Sequence, residues 1–244
     1  MKTFFEFLIF ARYAVGAQFS GMPDRRIFAE QLHRAGVGSM ALLTVLTLFA
    51  GLNLSVQSYS TFERFGGQDF LGMFAGIGGV RELYPVMAAI VCGARIGANL
   101  AAALANMKIS EQVEALEVMS VDPMQRLVAP RLWAVTFALP LLCAYADVIG
   151  IGASYVGAVY QLGLDGGTFQ SQISQFVDIW DLLVGMGKGL LFGWLVALIA
   201  CFHGYRAAKK EGAEGVGVAT NRAIVHGAVS CIVLNLVISW ALYG

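Results

Sequence analysis

The stretch GVGSMALLTVLTLFAGLNLSV, residues 36–56, decides the fold class because it contains no ionisable side chain. A helix that crosses a bilayer needs about 20 predominantly apolar residues, and this stretch supplies them. Further apolar segments follow, and the predicted transmembrane helices are residues 36–56, 71–107, 127–159, 182–203 and 223–243. The sequence therefore predicts an all-α polytopic membrane protein with five transmembrane helices in a single domain, residues 1–244.

The composition of the 244 residues supports the same class. Hydrophobic residues make up 58% of the chain and charged residues 13%, and the mean hydropathy is +0.70. Soluble domains carry about 25% charged residues, so this chain has too few to cover a water-exposed surface. The net charge of +0 argues against a nucleic acid partner, which needs a basic surface. Four widely spaced cysteines and three scattered histidines predict no disulfide framework, no metal site and no cofactor.

Basic residues are concentrated in alternate connections between the predicted spans. They lie in residues 1–35, 108–131 and 206–222, whereas Arg64 is the one basic residue of connections 57–80 and 160–181. Lys and Arg accumulate on the cytoplasmic side of membrane proteins. The N-terminus is therefore expected in the cytoplasm and the C-terminus in the periplasm, in a bacterial inner membrane.

Residues 1–34 predict helices at the membrane surface. An apolar residue recurs at helical spacing from Phe4 to Phe19, which is typical of an interfacial helix, with a partly inserted hairpin as the alternative. Charged interruptions and the lack of a small-residue cleavage site argue against a signal peptide. Residues 22–24 are expected to end this helix, and residues 27–34 to form a short amphipathic helix before the first span.

The segment RELYP, residues 81–85, brings two adjacent opposite charges into an otherwise apolar region. Ionisable groups at membrane depth are costly and are therefore functional candidates. Pro85 can open the backbone, and the freed carbonyl groups then need a cavity or a neighbouring helix. The alternative is a neutralising ion pair at the outer end of the second span, with Pro85 in its first turn.

Arg95, Asp147 and Lys188 are further ionisable residues within predicted spans. Arg95 and Lys188 are interpreted as bonding carbonyl groups or extending toward the membrane surface, with substrate contact as the alternative. Asp147 has no partner nearby in the sequence. It is expected to pair with Lys188 or Arg95 across helices, or to be protonated in place.

Residues 108–121, between the second and third spans, predict a polar helix on the cytoplasmic side. Glutamates at 111, 114 and 117 form an acidic stripe, and Val113 and Leu116 lie on a less polar face. A helix held between two spans suits a lever moved by a partner subunit, and a purely structural loop is the alternative.

The ends of this polar helix carry capping signals. Ser110 is a candidate N-cap, and acidic residues in the first turn suit the helix dipole. Asp122 is expected to cap the next helix, which Pro123 begins.

The residues indicate no catalytic domain. No P-loop is present, so any energy comes from a partner. An intramembrane enzyme acting on lipids, using Glu82, His203 or Asp147, is disfavoured because no metalloprotease motif or serine elbow occurs. An ion-coupled secondary transporter using Asp147 and Lys188 is the other alternative, but paired broken helices in internal repeats are not visible.

Several of these segments resemble the MlaE/YrbE permease subunits of ABC transporters that work with MCE proteins to move lipids. The matching residues are REL at 81–83 with Pro85, GARIG at 93–97, MK at 107–108, EQ at 111–112, EALEVM at 114–119, VDP at 121–123 and PRLWA at 130–134. Weaker similarities are QSY at 57–59, HGY at 203–205 and GVG at 215–217. The order and spacing extend over most of the chain.

The resemblance implies a homodimer of five-span subunits without a catalytic site of their own. A cytoplasmic ABC ATPase dimer would drive phospholipid or another hydrophobic lipid between the inner membrane and an MCE protein on the outer face. A small cytoplasmic accessory subunit is a further expected partner. The implied ATPase-coupling residues are Glu111, Gln112, Glu114, Leu116, Glu117, Met119 and Asp122.

The resemblance also implies a lipid cavity that opens outward between the two subunits, near the ends of spans one and two. The implied lipid-binding residues are Leu54, Val56, Gln57, Tyr59, Arg81, Glu82 and Leu83. The guanidinium group of Arg81 would meet a lipid phosphate. Asp147, where the family pattern has an apolar residue, and the strongly charged connection 206–214 depart from that pattern. These departures leave the lipid and the accessory subunits open.

Overall fold

A computed structural model describes residues 2–20, 25–208 and 212–243, and every regular element in these ranges is helical. The α-helices are α1 (Lys2–Phe19), α2 (Arg25–Glu63), α3 (Leu71–Gly78), α4 (Tyr84–Ile109), α5 (Gln112–Val118), α6 (Ala129–Val156), α7 (Gly166–Phe176), α8 (Ile179–Tyr205) and α9 (Gly212–Tyr243). A 3₁₀ turn precedes α3 at Gln68–Phe70, and π-helical turns occupy Gly79–Leu83, Met124–Val128 and Gly157–Gln161.

Five helical segments are long and apolar enough to cross a membrane, as the sequence predicts. They are Arg25–Glu63, Gln68–Ile109, Met124–Gln161, Ile179–Tyr205 and Gly212–Leu242. The all-α polytopic class is therefore confirmed. Each segment extends beyond the apolar run that predicted it, because polar turns continue a helix past the region that must be apolar.

The separate amphipathic helix expected at residues 27–34 does not exist, because these residues form the first turns of α2. No proline interrupts the chain there. An ion pair between Arg34 Nη2 and Glu30 Oε1, 2.6 Å apart and four residues from each other, stabilises the continuous helix. The break expected at residues 22–24 lies outside the described residues.

Helix α1 is attached to its neighbours by the side chain and backbone of Gln18. Trp133 Nε1 donates to the carbonyl oxygen of Gln18 at 3.0 Å, and Trp194 Nε1 donates to its Oε1 at 3.2 Å. Phe4 and Tyr13 of the same helix remain exposed. An anchored helix with exposed aromatic side chains is the arrangement expected of an interfacial helix.

The chain forms two compact units. The first comprises Met1–Ser39, Ala89–Leu139 and Leu190–Gly244, and the second comprises Met40–Ala88 and Pro140–Gly189. Small residues allow the helices within each unit to approach closely. In the first unit, a Cβ added at Gly193 would lie 2.6 Å from the carbonyl oxygen of Val135.

The second unit contains a helix in residues 160–181, which the sequence predicts as a connection. Helix α7 begins after Asp165, whose Oδ2 accepts from the backbone N–H of Thr168 at 2.7 Å. These hydrogen bonds hold the pKa of the exposed Asp165 carboxyl below its usual value. Phe169 of α7 is buried against Leu71 and Ala158, so the helix closes the core of this unit.

Candidate functional site: an ion-pair cluster beside a π-helical turn

The segment RELYP forms a break between two α-helices. Helix α3 ends at Gly78, the π-helical turn covers Gly79–Leu83, and α4 begins at Tyr84. Pro85 has no N–H, so the carbonyl oxygen of Arg81, four residues earlier, lacks its α-helical donor. The expectation that Pro85 frees a carbonyl group agrees with this break, and the alternative position of Pro85, in the first turn of a helix, is also found, because Pro85 is the second residue of α4.

The partner of that carbonyl group is Lys188 of α8. Lys188 Nζ donates to the carbonyl oxygen of Arg81 at 2.8 Å and to Glu82 Oε1 at 2.9 Å. The Lys188 side chain is only 1% exposed, whereas that of Glu82 is 40% exposed. Lys188 thus bonds a carbonyl group, as the sequence predicts, and it also binds the carboxylate of Glu82.

Arg81 is held by a second acid of α8. Arg81 Nε lies 2.7 Å from Asp181 Oδ1, and Arg81 Nη2 donates to Asp181 Oδ2 at 3.1 Å. The side chain of Asp181 is 6% exposed and that of Arg81 is 29% exposed. Asp181 Oδ2 also accepts from the backbone N–H of Asp178 at 3.1 Å, so the acid is itself fixed in place.

The two ion pairs share one design, since each joins a buried residue of α8 to a more exposed residue of the π-helical turn. Breaking a buried ion pair leaves an uncompensated charge, so each buried partner constrains its neighbour strongly. Arg81 and Glu82 therefore present one positive and one negative group at fixed positions. This arrangement, which we call the RE–DK cluster (Arg81, Glu82, Asp181 and Lys188), can bind a ligand that carries both charges.

Asp147 lies near the cluster but pairs with neither of the bases proposed for it. Lys188 bonds Glu82, and Arg95 donates to Ser39 Oγ at 3.1 Å. Both carboxylate oxygens of Asp147 are buried without a hydrogen-bond partner in the described structure. A Cβ added at Gly185 would be 3.7 Å from Asp147 Oδ2, so the carboxylate faces α8. The expected pairing across helices is wrong, and protonation in place stays a prediction.

The other residues predicted to bind lipid lie at the end of α2 and in the π-helical turn. Leu54 and Tyr59 pack against the core that contains Phe169. Val56 and Gln57 are exposed, and Leu83 is half-buried. The structure therefore brings Arg81 and Glu82 together with two residues that the prediction omitted, while the lipid-binding role of the whole set stays a prediction.

Asp181 and the Glu82–Lys188 contact were missed by sequence reasoning. Asp181 lies 100 positions after Arg81, and Lys188 lies 106 positions after Glu82. The available signal was that Asp181 and Lys188 are seven residues apart, hence on one face of a helix. Asp181 and Lys188 carry charges opposite to those of Arg81 and Glu82, which are adjacent to each other in the sequence.

The helix predicted at residues 108–121 is shorter in the structure: Lys108 and Ile109 still belong to α4, and α5 covers only Gln112–Val118, before the π-helical turn at Met124–Val128. The N-cap predicted at Ser110 is wrong. Ser110 Oγ donates back to the carbonyl oxygen of Asn106 at 2.7 Å, and Glu111, with φ 63°, is the residue that precedes α5. The left-handed backbone at Glu111 reverses the chain after α4. The predicted cap at Asp122 is confirmed, since its Oδ1 accepts from the N–H of Met124 at 2.8 Å.

Helix α5 is anchored on one face and exposed on the other. Val113 is fully buried, and Glu114 Oε1 lies 2.7 Å from Lys108 Nζ. Val118 is 85% exposed, and the neighbouring Met119 is also exposed. The coupling residues Glu111, Gln112, Glu117 and Asp122 are exposed, and Leu116 is half-buried. An apolar tip beside acidic side chains is typical of a protein-binding surface.

No group of three His, Cys, Asp or Glu side chains that could hold a metal ion occurs in the part of the chain that the structure describes. His203, considered above as a catalytic acid or base, lies with its Nε2 2.8 Å from Nδ1 of His226. That contact satisfies one nitrogen of each ring.

Comparisons with known proteins agree on one family. The model of a family described as "Permease MlaE" matches residues 28–241. The "intermembrane phospholipid transport system permease protein MlaE" of Haemophilus influenzae is 33% identical over 247 residues, covering 99% of this chain and 94% of the relative. A "probable ABC transporter permease protein" of Rickettsia typhi is 32% identical over 97% of this chain and 91% of the relative. The chloroplastic protein TRIGALACTOSYLDIACYLGLYCEROL 1 of Arabidopsis thaliana is 30% identical over 86% of this chain and 59% of the relative.

Proposed function

This chain belongs to the MlaE permease family, and from that premise we propose that it is the membrane subunit of an ABC transporter that moves phospholipid. A phospholipid or similar lipid would pass between the inner membrane and an MCE protein on the outer face. A partner ATPase would supply the energy, and the chain itself would have no catalytic site. The single observation that carries the lipid assignment is the RE–DK cluster.

The RE–DK cluster suits a phospholipid headgroup because it offers a guanidinium group and a carboxylate side by side. Guanidinium groups bind phosphate through paired, charge-assisted hydrogen bonds. The carboxylate of Glu82 matches the ammonium group of a zwitterionic headgroup. Asp181 and Lys188 act as positioning residues, since each is buried and reaches the ligand only through its partner.

Acyl chains would extend along the apolar surface near the end of α2. Val56 is exposed there, and Leu54 is half-buried. Gln57 and Tyr59 add polar groups at the same end of the helix, and Leu83 continues the apolar surface from the π-helical turn. These residues, with Arg81 and Glu82, form the proposed lipid site.

Helix α5 is the proposed docking element for the ATPase. Val118 and Met119 supply an exposed apolar contact, and Glu117 and Asp122 supply acidic contacts around it. Interfaces of this kind combine an apolar centre with a polar rim. Val113 and the Lys108–Glu114 ion pair attach α5 to the bundle. A displacement of α5 by the ATPase would therefore be transmitted to α4.

Transport would require that the lipid site has two shapes with different affinities. A ligand shifts a conformational equilibrium only to the extent that it binds the two states differently. The π-helical turn is a suitable element to change, since the carbonyl oxygen of Arg81 within it is bonded to the side chain of Lys188. ATP binding and hydrolysis in the partner would drive the change through α5.

The distribution of basic residues favours a cytoplasmic N-terminus, a periplasmic C-terminus and a cytoplasmic α5. We further propose a homodimer of this chain, an ATPase dimer beneath it, an MCE protein above it and a small cytoplasmic accessory subunit. The exposed apolar side chains of α2, such as Phe49, are available for contact with lipid or a second copy.

A second candidate function, ion-coupled transport, is favoured by one observation. Asp147 is fully buried with no hydrogen-bond partner among the described residues, which is the environment of a carboxyl group that carries a proton. A carboxyl group that exchanges protons would couple transport to a gradient. The Lys188–Glu82 bond removes the base that this mechanism would pair with Asp147.

Reconstitution tests the proposal. The chain and its partner ATPase, in liposomes with a fluorescent phospholipid, should transfer lipid to an MCE-domain acceptor only when ATP is present. Lys188→Met should abolish the transfer because Glu82 loses its fixed position. Arg64→Gln, at an exposed position outside the cluster and outside the proposed lipid-binding residues, is the matched control and should transfer normally. Transfer by Lys188→Met at the normal rate would refute the role of the cluster.

A further inference from the structure

A cavity of about 840 Å³ lies within the first compact unit, separate from the RE–DK residues. The start of α2, the second half of α4 and the start of α6 form its walls. Four of its lining residues are glutamate or arginine, namely Glu30, Arg34, Arg95 and Arg131.

The charges in this cavity do not balance. Arg34 Nη2 lies 2.6 Å from Glu30 Oε1, so these two residues neutralise each other. Neither Arg95 nor Arg131 has a carboxylate within ion-pair distance among the residues that the structure describes. Two guanidinium groups therefore line one cavity without an ion-pair partner among the described residues.

Arg131 has unused hydrogen-bonding capacity although it is only 6% exposed. Its Nη1 donates to the carbonyl oxygen of Leu127 at 2.8 Å, and its Nη2 lies 3.7 Å from Met107 Sδ, a weak acceptor. Its Nε is buried without an acceptor in the described structure. A buried cation in this state is costly unless an anion joins it.

Arg95 lies against α2, where Gly38 makes room for it. A Cβ at Gly38 would be 2.8 Å from Arg95 Nη1. The hydroxyl group of Ser39 accepts from the same nitrogen at 3.1 Å. These contacts hold the guanidinium plane in place while leaving most of its five donors for a ligand.

The remaining lining is mostly apolar and elongated. Ile96, Leu100, Ala103 and Val135 contribute to it. The α4 lining residues run from Arg95 to Met107, a rise of about 18 Å along the helix. Such a cavity is longer than a bare phosphate needs, and its walls suit hydrocarbon as well as a charged group.

We propose that this cavity, which we call the Arg95–Arg131 cavity, is a second lipid site that binds a phosphate-bearing headgroup through two arginines. The glycerol region and upper acyl chain would lie against the apolar lining. The choice of a phospholipid as the ligand rests on the proposed function. The rest of the proposal rests on the cavity itself. Because Arg131 follows the connection expected in the cytoplasm, the lipid would enter from the cytoplasmic leaflet.

Photo-crosslinking from Asn99 tests the proposal, since this side chain is exposed and lines the cavity. The full chain carries p-benzoylphenylalanine at Asn99 in nanodiscs of phosphatidylcholine with ³²P-labelled phosphatidylglycerol. Val229, exposed on α9 away from the cavity, reports the labelling by surrounding lipid. The expected result is labelling at Asn99 that falls about tenfold on Arg131→Gln or Arg95→Gln, while labelling at Val229 does not change.

Two further variants distinguish loss of lipid binding from misfolding of the protein. Arg131→Lys keeps the charge and should retain a substantial part of the labelling. Ala103→Phe fills the cavity without removing a charge and should abolish it. Labelling that persists in both Arg131→Gln and Ala103→Phe would overturn the proposal.

The same experiment separates the other occupants. Labelling that survives an excess of inorganic phosphate supports a lipid, whereas complete displacement by inorganic phosphate would overturn the lipid assignment. Chain-to-chain crosslinks from Asn99 in place of lipid adducts would show that a second copy fills the cavity, which also overturns it. Labelling lost on Lys188→Met but unaffected by Arg131→Gln would refute this site and leave the RE–DK cluster standing.

Discussion

Lys188 occupies the place of a missing backbone donor, because its Nζ lies 2.8 Å from the carbonyl oxygen of Arg81 that Pro85 leaves without an N–H. The same ammonium group holds Glu82 at 2.9 Å. A proline, a π-helical turn and a buried lysine thus form one unit. The lysine satisfies a carbonyl group at the backbone break, and that carbonyl group and Glu82 both accept from the buried ammonium group.

A double-mutant cycle measures this dependence. Lys188→Met should lower the free energy of unfolding by about 1–3 kcal/mol, because a buried carbonyl group loses its donor. Pro85→Ala restores an N–H at that position, so Lys188→Met should be less damaging in the Pro85→Ala background. Thermal unfolding of the four proteins in one detergent gives the coupling energy, and strictly additive effects would contradict the relationship.

Asp181→Asn should impair transport more than folding. The amide keeps the size of the side chain but loses the charge that orients Arg81, so the rate of ATP-driven lipid transfer should fall about tenfold. The melting temperature should change little in comparison with Lys188→Met. Asp181→Glu, which restores the charge, should recover part of the rate, and equal rates for the Asn and Glu variants would argue against a positioning role.

Glu114→Lys with Glu117→Lys should uncouple the ATPase from the permease. The change replaces the Lys108–Glu114 ion pair by two like charges and reverses the charge at position 117 of the docking surface, while the buried Val113 still anchors α5. The chain should fold and insert normally, yet lose copurification with the ATPase and lose lipid transfer. Copurification and transfer at normal levels would exclude α5 as the docking element.

Asp147→Asn separates ATP-driven from ion-coupled transport. The amide has nearly the same shape and removes a buried carboxyl group that has no hydrogen-bond partner in the described structure. We expect normal ATP-driven transfer and an unchanged or higher melting temperature. Loss of transfer in a stably folded Asp147→Asn protein would favour the ion-coupled alternative.

Asp165→Ala tests whether the Asp165 side chain stabilises the N-terminus of α7. Loss of an N-cap side chain destabilises the start of a helix, and this one accepts from Thr168 at 2.7 Å. Since the pKa of Asp165 is lowered by these bonds, its stabilising effect is present above the usual carboxyl pKa and is lost as pH falls through the lowered value. The protection factors of the α7 amides, which correct for the pH dependence of intrinsic exchange, should therefore fall at low pH in the natural protein but not in Asp165→Ala.

The five transmembrane segments were predictable from sequence because each contains an apolar run long enough to cross a bilayer. The ends of the helices were not, since residues 57–63 are polar but continue α2. Helix α7 was missed because it is short and mostly polar. Such a helix gains its stability from Phe169 in the core rather than from a periodic pattern.

The functional candidates were predictable as residues but not as pairs. Arg81, Glu82 and Lys188 stand out as charges in apolar surroundings, and membrane burial makes such charges rare. Which acid meets which base depends on how α4 and α8 pack, and no local rule supplies that. Ser110 shows the opposite failure: its local capping signal is overridden by the left-handed turn at Glu111.

The most direct test of the central claim is ATP-dependent lipid transfer by the reconstituted chain and ATPase, with Glu82→Gln and Glu117→Lys measured in parallel. We predict transfer by the natural protein only with ATP, and loss in both variants. Glu82→Gln should keep the ATPase bound, whereas Glu117→Lys should release it. Transfer by the chain alone, or normal transfer by Glu82→Gln, would contradict the account.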